Sequence, residues 1–282
     1  MWAEAKELWN YRMLLFSMVD RELKIRYKNS FLGFFWSMIN PLITVTVLTV
    51  VFKYLARNEV PNYSAYILAA YLPYMFFQMA IMDSAQSVLS NLSLIKKIYF
   101  PREILPLAAV VGNFIHFLLA MVVFFVYLLI IAVFSHDFSV FQWSSVYLPL
   151  LLVINFLLAA GLGLLFSALN TFYEDVKYLV GIALYLNFFL SPIMYFGEIT
   201  YYGHSYKLYF LYHLNPIAEM SEAYRKVLLA PQPVVIKDFP KPMPALPLDW
   251  TLLWICAAFS VAVFFLGYHV FNRMKWRFVE RP

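Results

Sequence analysis

The chain has 282 residues, of which 63% are hydrophobic and only 13% charged, with a mean hydropathy of +0.71 and a formal net charge of +5. Soluble globular chains run at roughly 45–50% apolar and about 25% charged, so an ordinary water-soluble domain is excluded and a membrane protein is expected. One cysteine, Cys256, rules out an internal disulfide framework and any multi-cysteine metal site.

At the start of the chain, Glu4 and Glu7 stand ahead of any apolar core, unlike the basic-then-apolar order of a cleavable signal, so the first span is expected to stay in the mature protein. Six charged residues between Asp20 and Lys28 then run without a break into an apolar stretch that begins around Gly33. On a helical wheel Leu15, Phe16, Val19, Leu23 and Tyr27 share an arc of roughly 120°, while Asp20, Arg21, Lys24 and Lys28 gather on another. This pattern predicts an amphipathic interfacial helix within residues 1–32. Glu22 and Arg26 fall near the apolar arc with i,i+4 spacing, which suits a protein partner. The alternative is a generic basic anchor to anionic membrane lipid, gaining about 1 kcal/mol per Lys or Arg.

Runs long enough to cross a bilayer follow at Gly33 to Leu55, Tyr66 to Leu89, Ile104 to Phe134, Tyr147 to Leu169, Val176 to Phe196 and Leu252 to Phe271. Lipid supplies no hydrogen bonds to the backbone and the runs are too long for barrel strands, so each is expected to be helical. The expected fold is therefore an all-α integral membrane protein, a single transmembrane domain over 1–282 with six spans. Spans one to five occupy 33–196, an external segment 197–250, span six 251–272 and a cytoplasmic tail 273–282. With both termini inside, fourteen of the 21 Lys and Arg residues lie on the cytoplasmic side, as the positive-inside rule favours.

Within the spans Asp83 and His116 are read as packing or hydrogen-bonding groups in preference to proton relays. Between spans five and six the apolar stretch Lys207 to Ala230 is interrupted by Asn215-Pro216. We read it as two short re-entrant helices in the outer leaflet, with a surface loop carrying an interfacial helix as the alternative. Pro231, Pro233, Pro240, Pro242, Pro244 and Pro247 then predict an extended external loop. No phosphate-binding loop of the form G-x-x-x-x-G-K-[ST] occurs, so ATP hydrolysis by this chain is not expected. His204 and His213 have no zinc spacing, and no serine sits in a nucleophile motif.

Three segments together resemble the permease subunit of ABC exporters for lipid-linked polysaccharides of the O-antigen, capsule and teichoic-acid type. They are Arg26-Tyr27-Lys28-x-Ser30-x-Leu32-Gly33-x-x-Trp36 followed by Pro41; Lys96-Lys97-Ile98-Tyr99-Phe100-Pro101-Arg102-Glu103-Ile104-Leu105-Pro106; and Asn170 through Tyr173-Glu174-Asp175-Val176 to Ser191-Pro192-Ile193-Met194-Tyr195, then Asn215-Pro216 and Tyr224-Arg225. Glu174 departs from the arginine that relatives commonly carry there, and the Pro231 to Pro247 segment is longer than the family norm.

The resemblance implies a homodimer around a central conduit in a bacterial inner membrane, with two separate ABC ATPase subunits that bind ATP and Mg; no cofactor is expected in this chain and no nucleic-acid partner. It implies coupling to the ATPase through Lys96, Lys97, Tyr99, Phe100, Pro101, Arg102 and Glu103. The interfacial-helix residues Arg21, Glu22, Lys24, Arg26, Tyr27 and Lys28 take part in that coupling. An external gate is assigned to Asn215, Pro216, Tyr224 and Arg225. Sugars stack on aromatic rings, and Tyr178, Tyr185, Phe189 and Phe196 share a face of the expected fifth span, so these are candidate conduit residues. A packing stripe or interfacial belt is the alternative. Two rival functions remain: a small-molecule or drug exporter of the same superfamily, and a membrane-embedded glycan- or lipid-modifying enzyme, for which the external carboxylates Glu198 and Asp137 offer no matching pattern.

Overall fold

A computed structural model describes residues 2–27, 35–51, 62–135, 142–231, 233 and 242–279. Its described regular elements are helical: α1 (Trp2–Asn10), α2 (Arg12–Tyr27), α3 (Phe35–Thr49), α4 (Tyr63–Ser90), α5 (Leu92–Ile95), α6 (Ile104–Ser135), α7 (Leu148–Phe172), α8 (Val176–Leu190), α9 (Ile199–Gly203), α10 (Tyr206–His213), α11 (Pro216–Leu228) and α12 (Trp250–Met274). Two 3-10 turns, Trp143–Tyr147 and Lys275–Val279, flank α7 and α12.

Four helical stretches among the described residues are long and apolar enough to span a bilayer: Tyr63–Ser90, Ile104–Phe134, Trp143–Phe172 and Trp250–Phe278. Of the two other expected spans, the first is represented by the 15 residues of α3, and the fifth ends early. Pro192 cannot continue a helix and biases Ser191 to extended backbone; Ser191 has φ −98° and ψ 145°. As a result α8 stops at Leu190 instead of reaching Phe196, and its 15 residues cover about 22 Å at 1.5 Å each, against a hydrocarbon core of about 30 Å.

The bundle is organised around α4, whose apolar window is 72% buried. Helices α6 and α7 pack along it, and α12 packs on α7. Small residues allow the closest crossing. A Cβ added to Gly161 would lie 2.6 Å from the Cα and N of Phe264, and one on Gly267 would strike the Gly161 carbonyl oxygen. The α7 and α12 backbones are therefore in contact at a small-residue seam, the arrangement that lets helices associate where lipid provides no hydrophobic drive.

Outward faces are apolar too. On α6, Val122, Val126, Leu129 and Val133 form an exposed line at helical spacing. In water that line would be a large unprotected patch; in lipid it is the solvent-facing side of a span. Several buried polar side chains instead bond to backbone or to each other. Ser84 donates to the Pro106 carbonyl at 2.8 Å, Asn155 to the Pro73 carbonyl at 3.2 Å, and Asn113 to an Asp83 carboxylate oxygen at 2.8 Å. The Asp83 bond agrees with the packing role read from the sequence.

The two ends of the bundle differ. A basal end gathers α1, α2, α5 and the Lys275–Val279 turn over a core of Val88, Phe100, Ile104, Leu164, Phe271 and Phe278. A distal end carries α9, α10 and α11. Its core includes Tyr63, Ile67, Leu151 and Tyr224.

Candidate functional site

At the basal end α2 lies against α6. Glu22 occupies the space opposite Gly112, where an added Cβ would come within 3.7 Å of the Glu22 Cβ. Arg21 donates to Glu22 Oε1 at 3.2 Å and to Asn91 Oδ1 at 2.8 Å, while Asn91 Nδ2 donates to the Ser87 carbonyl at 2.8 Å. The helix is thus pinned to the last turn of α4. This changes the reading of the wheel: Met18 and Val19 are buried, but Phe16 is exposed. Glu22 lies alongside Gly112 of α6, part-exposed, and its described ion pair is with the neighbouring Arg21. Lys24 pairs with Asp20 at 2.6 Å on the exposed side. The side chains of Arg26 and Tyr27, and Lys28 altogether, lie outside the described residues.

The loop after α5 divides the expected coupling residues into three groups. Lys96, Lys97 and Tyr99 are exposed. Phe100 and Pro101 are buried and anchor the loop in the basal core. Arg102 donates to the Lys275 carbonyl and stands 6.0 Å from the Phe278 ring, and Glu103 pairs with Lys275 at 2.6 Å with both side chains buried. Tyr99 also donates to Glu7 of α1 at 3.1 Å. A projecting Lys96–Tyr99 tip is therefore braced from three sides, by α1, by the core and by the C-terminal turn. Sequence reasoning missed Lys275 and Glu7 as partners; 172 and 92 residues separate the paired positions, and no local pattern signals either.

At the turn between α7 and α8 the described structure explains Asn170. Its Nδ2 donates to the Ala85 carbonyl at 2.9 Å and its Oδ1 accepts from the Lys177 backbone N–H at 3.1 Å, tying α4, α7 and the start of α8 together.

On α8, Tyr178, Tyr185 and Phe189 are all more than half exposed, and Tyr185 and Phe189 meet edge to face at 5.2 Å. Phe196 does not share their face. It lies beyond the end of α8, is 5% exposed and packs against Tyr66 at 4.8 Å. The early stop at Ser191-Pro192 is the reason.

The distal hairpin forms at the expected breaker. Asn215 caps α11, its Oδ1 accepting from the Ile217 N–H at 3.1 Å, and Pro216 takes the first helical position, where a missing N–H costs nothing. Cys256 of α12 donates to the Pro216 carbonyl at 3.7 Å, so this turn reaches about 9 Å past the first residue of α12, at six residues of 1.5 Å rise. The other end of α11 is at the rim, where Ser144 donates to the Val227 carbonyl at 3.0 Å. Tyr224, fully buried, packs against Phe117. Arg225 donates to the carbonyls of Tyr66 (3.1 Å), Tyr195 (3.2 Å) and Ile193, and its guanidinium covers the Tyr66 ring at 3.8 Å. Both residues of this assigned gate pair are thus interior anchors.

Beside them is a buried ionic cluster that the sequence did not signal. Lys226 reaches Glu222 at 2.8 Å and Glu198 at 3.6 Å, and His213 Nε2 lies 3.2 Å from Glu222. Glu222, gripped from two sides, is held below the usual carboxylate range by Lys226 and His213 although burial opposes this. Glu198 stands at the longer distance from Lys226 and shares a hydrogen bond with Glu222; burial and the neighbouring Glu222 carboxylate push it up to about 7. Among the described residues no group of three or more His, Cys, Asp or Glu is placed to hold a metal ion.

These features together define a helical membrane protein with one braced polar end and one end built of short helices. A family model described as ABC-2 type transporter matches residues 13–229. The chain belongs to the ABC-2 type transporter family. It is 27% identical over 267 residues, 95% of this chain and 94% of the relative, to an O-antigen export system permease protein of Klebsiella pneumoniae. A Myxococcus xanthus protein of the same name is 29% identical over 222 residues, covering 79% of this chain and 82% of that one. The polysialic acid transport protein KpsM of Escherichia coli is 22% identical over 212 residues, 74% and 78% of the two chains.

Proposed function

We propose that this chain is the permease subunit of an exporter for a lipid-linked polysaccharide, working as a homodimer in a bacterial inner membrane. Two separate ATPase subunits would bind ATP and Mg and supply the energy. The observation that carries the reading is the braced basal tip: Lys96, Lys97 and Tyr99 project from a loop that is fixed by Glu7, Phe100 and the Glu103–Lys275 pair. A tip held on three sides transmits rigid-body motion from a docked partner instead of absorbing it. The family match and the polysaccharide transporters among the relatives support the same conclusion.

In this reading the basal end is cytoplasmic, consistent with the positive-inside bias, and the distal hairpin lies in the outer leaflet. The exposed aromatic row Tyr178, Tyr185 and Phe189 on α8 would line the conduit between the two copies. Sugar rings stack on such faces with little loss of sliding freedom. The test is complementation of a permease-deficient strain, with the cognate ATPase supplied. Surface polysaccharide is expected to return with the wild-type chain and to fall severalfold with Tyr185→Ala/Phe189→Ala at equal membrane abundance. No surface polysaccharide with the wild-type chain would refute the function; undiminished export by the double variant would remove the aromatic row from the path.

A further inference from the structure

The distal end contains a cavity of about 360 Å³ where α11, the Trp143–Tyr147 turn and the Ala245–Trp250 segment meet. Its volume lies within the range of small-ligand sites, roughly 300–1,000 Å³. One side is aromatic. Tyr147 and Trp250 meet edge to face at 4.8 Å, and they are 43% and 40% exposed, so each ring is held at a fixed angle with surface still open. Trp250 is further fixed by its place in the chain, directly after Asp249, which caps α12 through the Thr251 and Leu252 N–H groups at 2.9 and 3.3 Å.

The other side is polar and close to neutral. It presents two carboxylates, Glu198 and Glu222, on Lys226 at 3.6 and 2.8 Å, and beside them Arg225, which is held by the Tyr66 and Tyr195 carbonyls; all four are buried or nearly so. Gln142 adds an amide at the edge, where its Oε1 accepts from the Ser144 hydroxyl at 2.8 Å. These groups already pair within the protein, but a carboxylate keeps lone pairs beyond one ion pair, so a hydroxyl-bearing ligand can add hydrogen bonds here where a lipid chain adds none, and a charged ligand would find little net opposite charge. A ligand with apolar C–H faces and many hydroxyls meets both walls, stacking on the rings and exchanging hydrogen bonds with acceptors and donors side by side.

We propose that this cavity is a saccharide-binding site, which holds one or two neutral sugar units of the polymer on the face where it emerges. The proposal rests on the polysaccharide-export reading above and extends it to a place outside the conduit.

The test uses the complete permease–ATPase complex in cells, with Gln142→Cys as the reporter. Cys256 is buried, so a membrane-impermeant maleimide should leave the unsubstituted chain unlabelled. Labelling is compared in cells that make their own polysaccharide and in the same cells blocked at the first glycosyl transfer, and surface polysaccharide is measured in parallel. Polymer is expected to slow labelling at position 142 at least fivefold. Trp250→Ala should abolish that protection and Trp250→Phe preserve most of it. Equal labelling rates with and without polymer, in cells that display surface polysaccharide, would overturn the site while leaving the export function standing. Protection unchanged by Trp250→Ala would also overturn it. Absence of surface polysaccharide even with the wild-type chain would instead bring down the export reading, and this site with it.

Discussion

Single side chains at both ends of the bundle set measurable stabilities. Lys275 and Glu103 form a buried pair at 2.6 Å, and removing one member of such a pair leaves an uncompensated charge. Lys275→Ala is expected to destabilise the protein by about 3–5 kcal/mol, read as a lower midpoint in detergent unfolding, whereas Glu103→Gln with Lys275→Met should recover most of the loss. At the other end Glu198 titrates high because it is buried beside the Glu222 carboxylate, with Lys226 3.6 Å away as partial compensation. The folded protein therefore holds a proton on it that the unfolded chain releases above the usual carboxylate range, near 4.5. Stability from this group is present at pH 4.5 and is lost as pH rises through about 7. Glu198→Gln should flatten the fall in unfolding midpoint between pH 5 and pH 8; an unchanged slope would show that another group carries it.

For whole elements, glycine and proline decide the outcome. Gly161 and Gly267 put the α7 and α12 backbones in contact, so any larger residue must push the helices apart. Gly267→Leu is expected to cost at least the roughly 1–3 kcal/mol of core overpacking, seen as a lowered unfolding midpoint. Gly203, where an added Cβ meets nothing within 4 Å, should accept alanine without that loss. Asn215-Pro216 was legible in the sequence because the cap and the first-turn proline are local signals, and the hairpin forms there. Ser191-Pro192 was equally visible as a motif, yet its effect on span length was not. A run of apolar residues continues to Phe196 while the helix ends at Leu190, since hydropathy does not register the missing proline N–H. The long spans α4, α6, α7 and α12 were readable because twenty or more apolar residues leave few alternatives. Contacts such as Arg21 to Asn91, Tyr99 to Glu7 and Lys226 to Glu198 join residues 70, 92 and 28 positions apart, and only packing reveals them.

The whole molecule is a helical bundle whose sequence carries no phosphate-binding loop, and in the proposed function its energy enters at the basal surface. In that reading the brace matters because α2 is fixed to α4 through Arg21 and Asn91 and lies against α6 at Gly112, so a force on the Lys96–Tyr99 tip would reach the spans. Deleting residues 13–27, or replacing Arg102 with alanine, is expected to lower transport-linked ATP hydrolysis while leaving membrane insertion intact. The most direct measurement is polysaccharide exported per ATP hydrolysed by the purified complex in proteoliposomes, comparing the wild type with Lys96→Ala/Lys97→Ala/Tyr99→Ala. These three side chains are exposed, so the folded bundle should survive their loss. The expected result is an ATPase that still binds nucleotide but whose hydrolysis no longer yields export, with the ratio down at least tenfold. An unchanged ratio in the triple variant would contradict the claim that this tip receives the motor's motion.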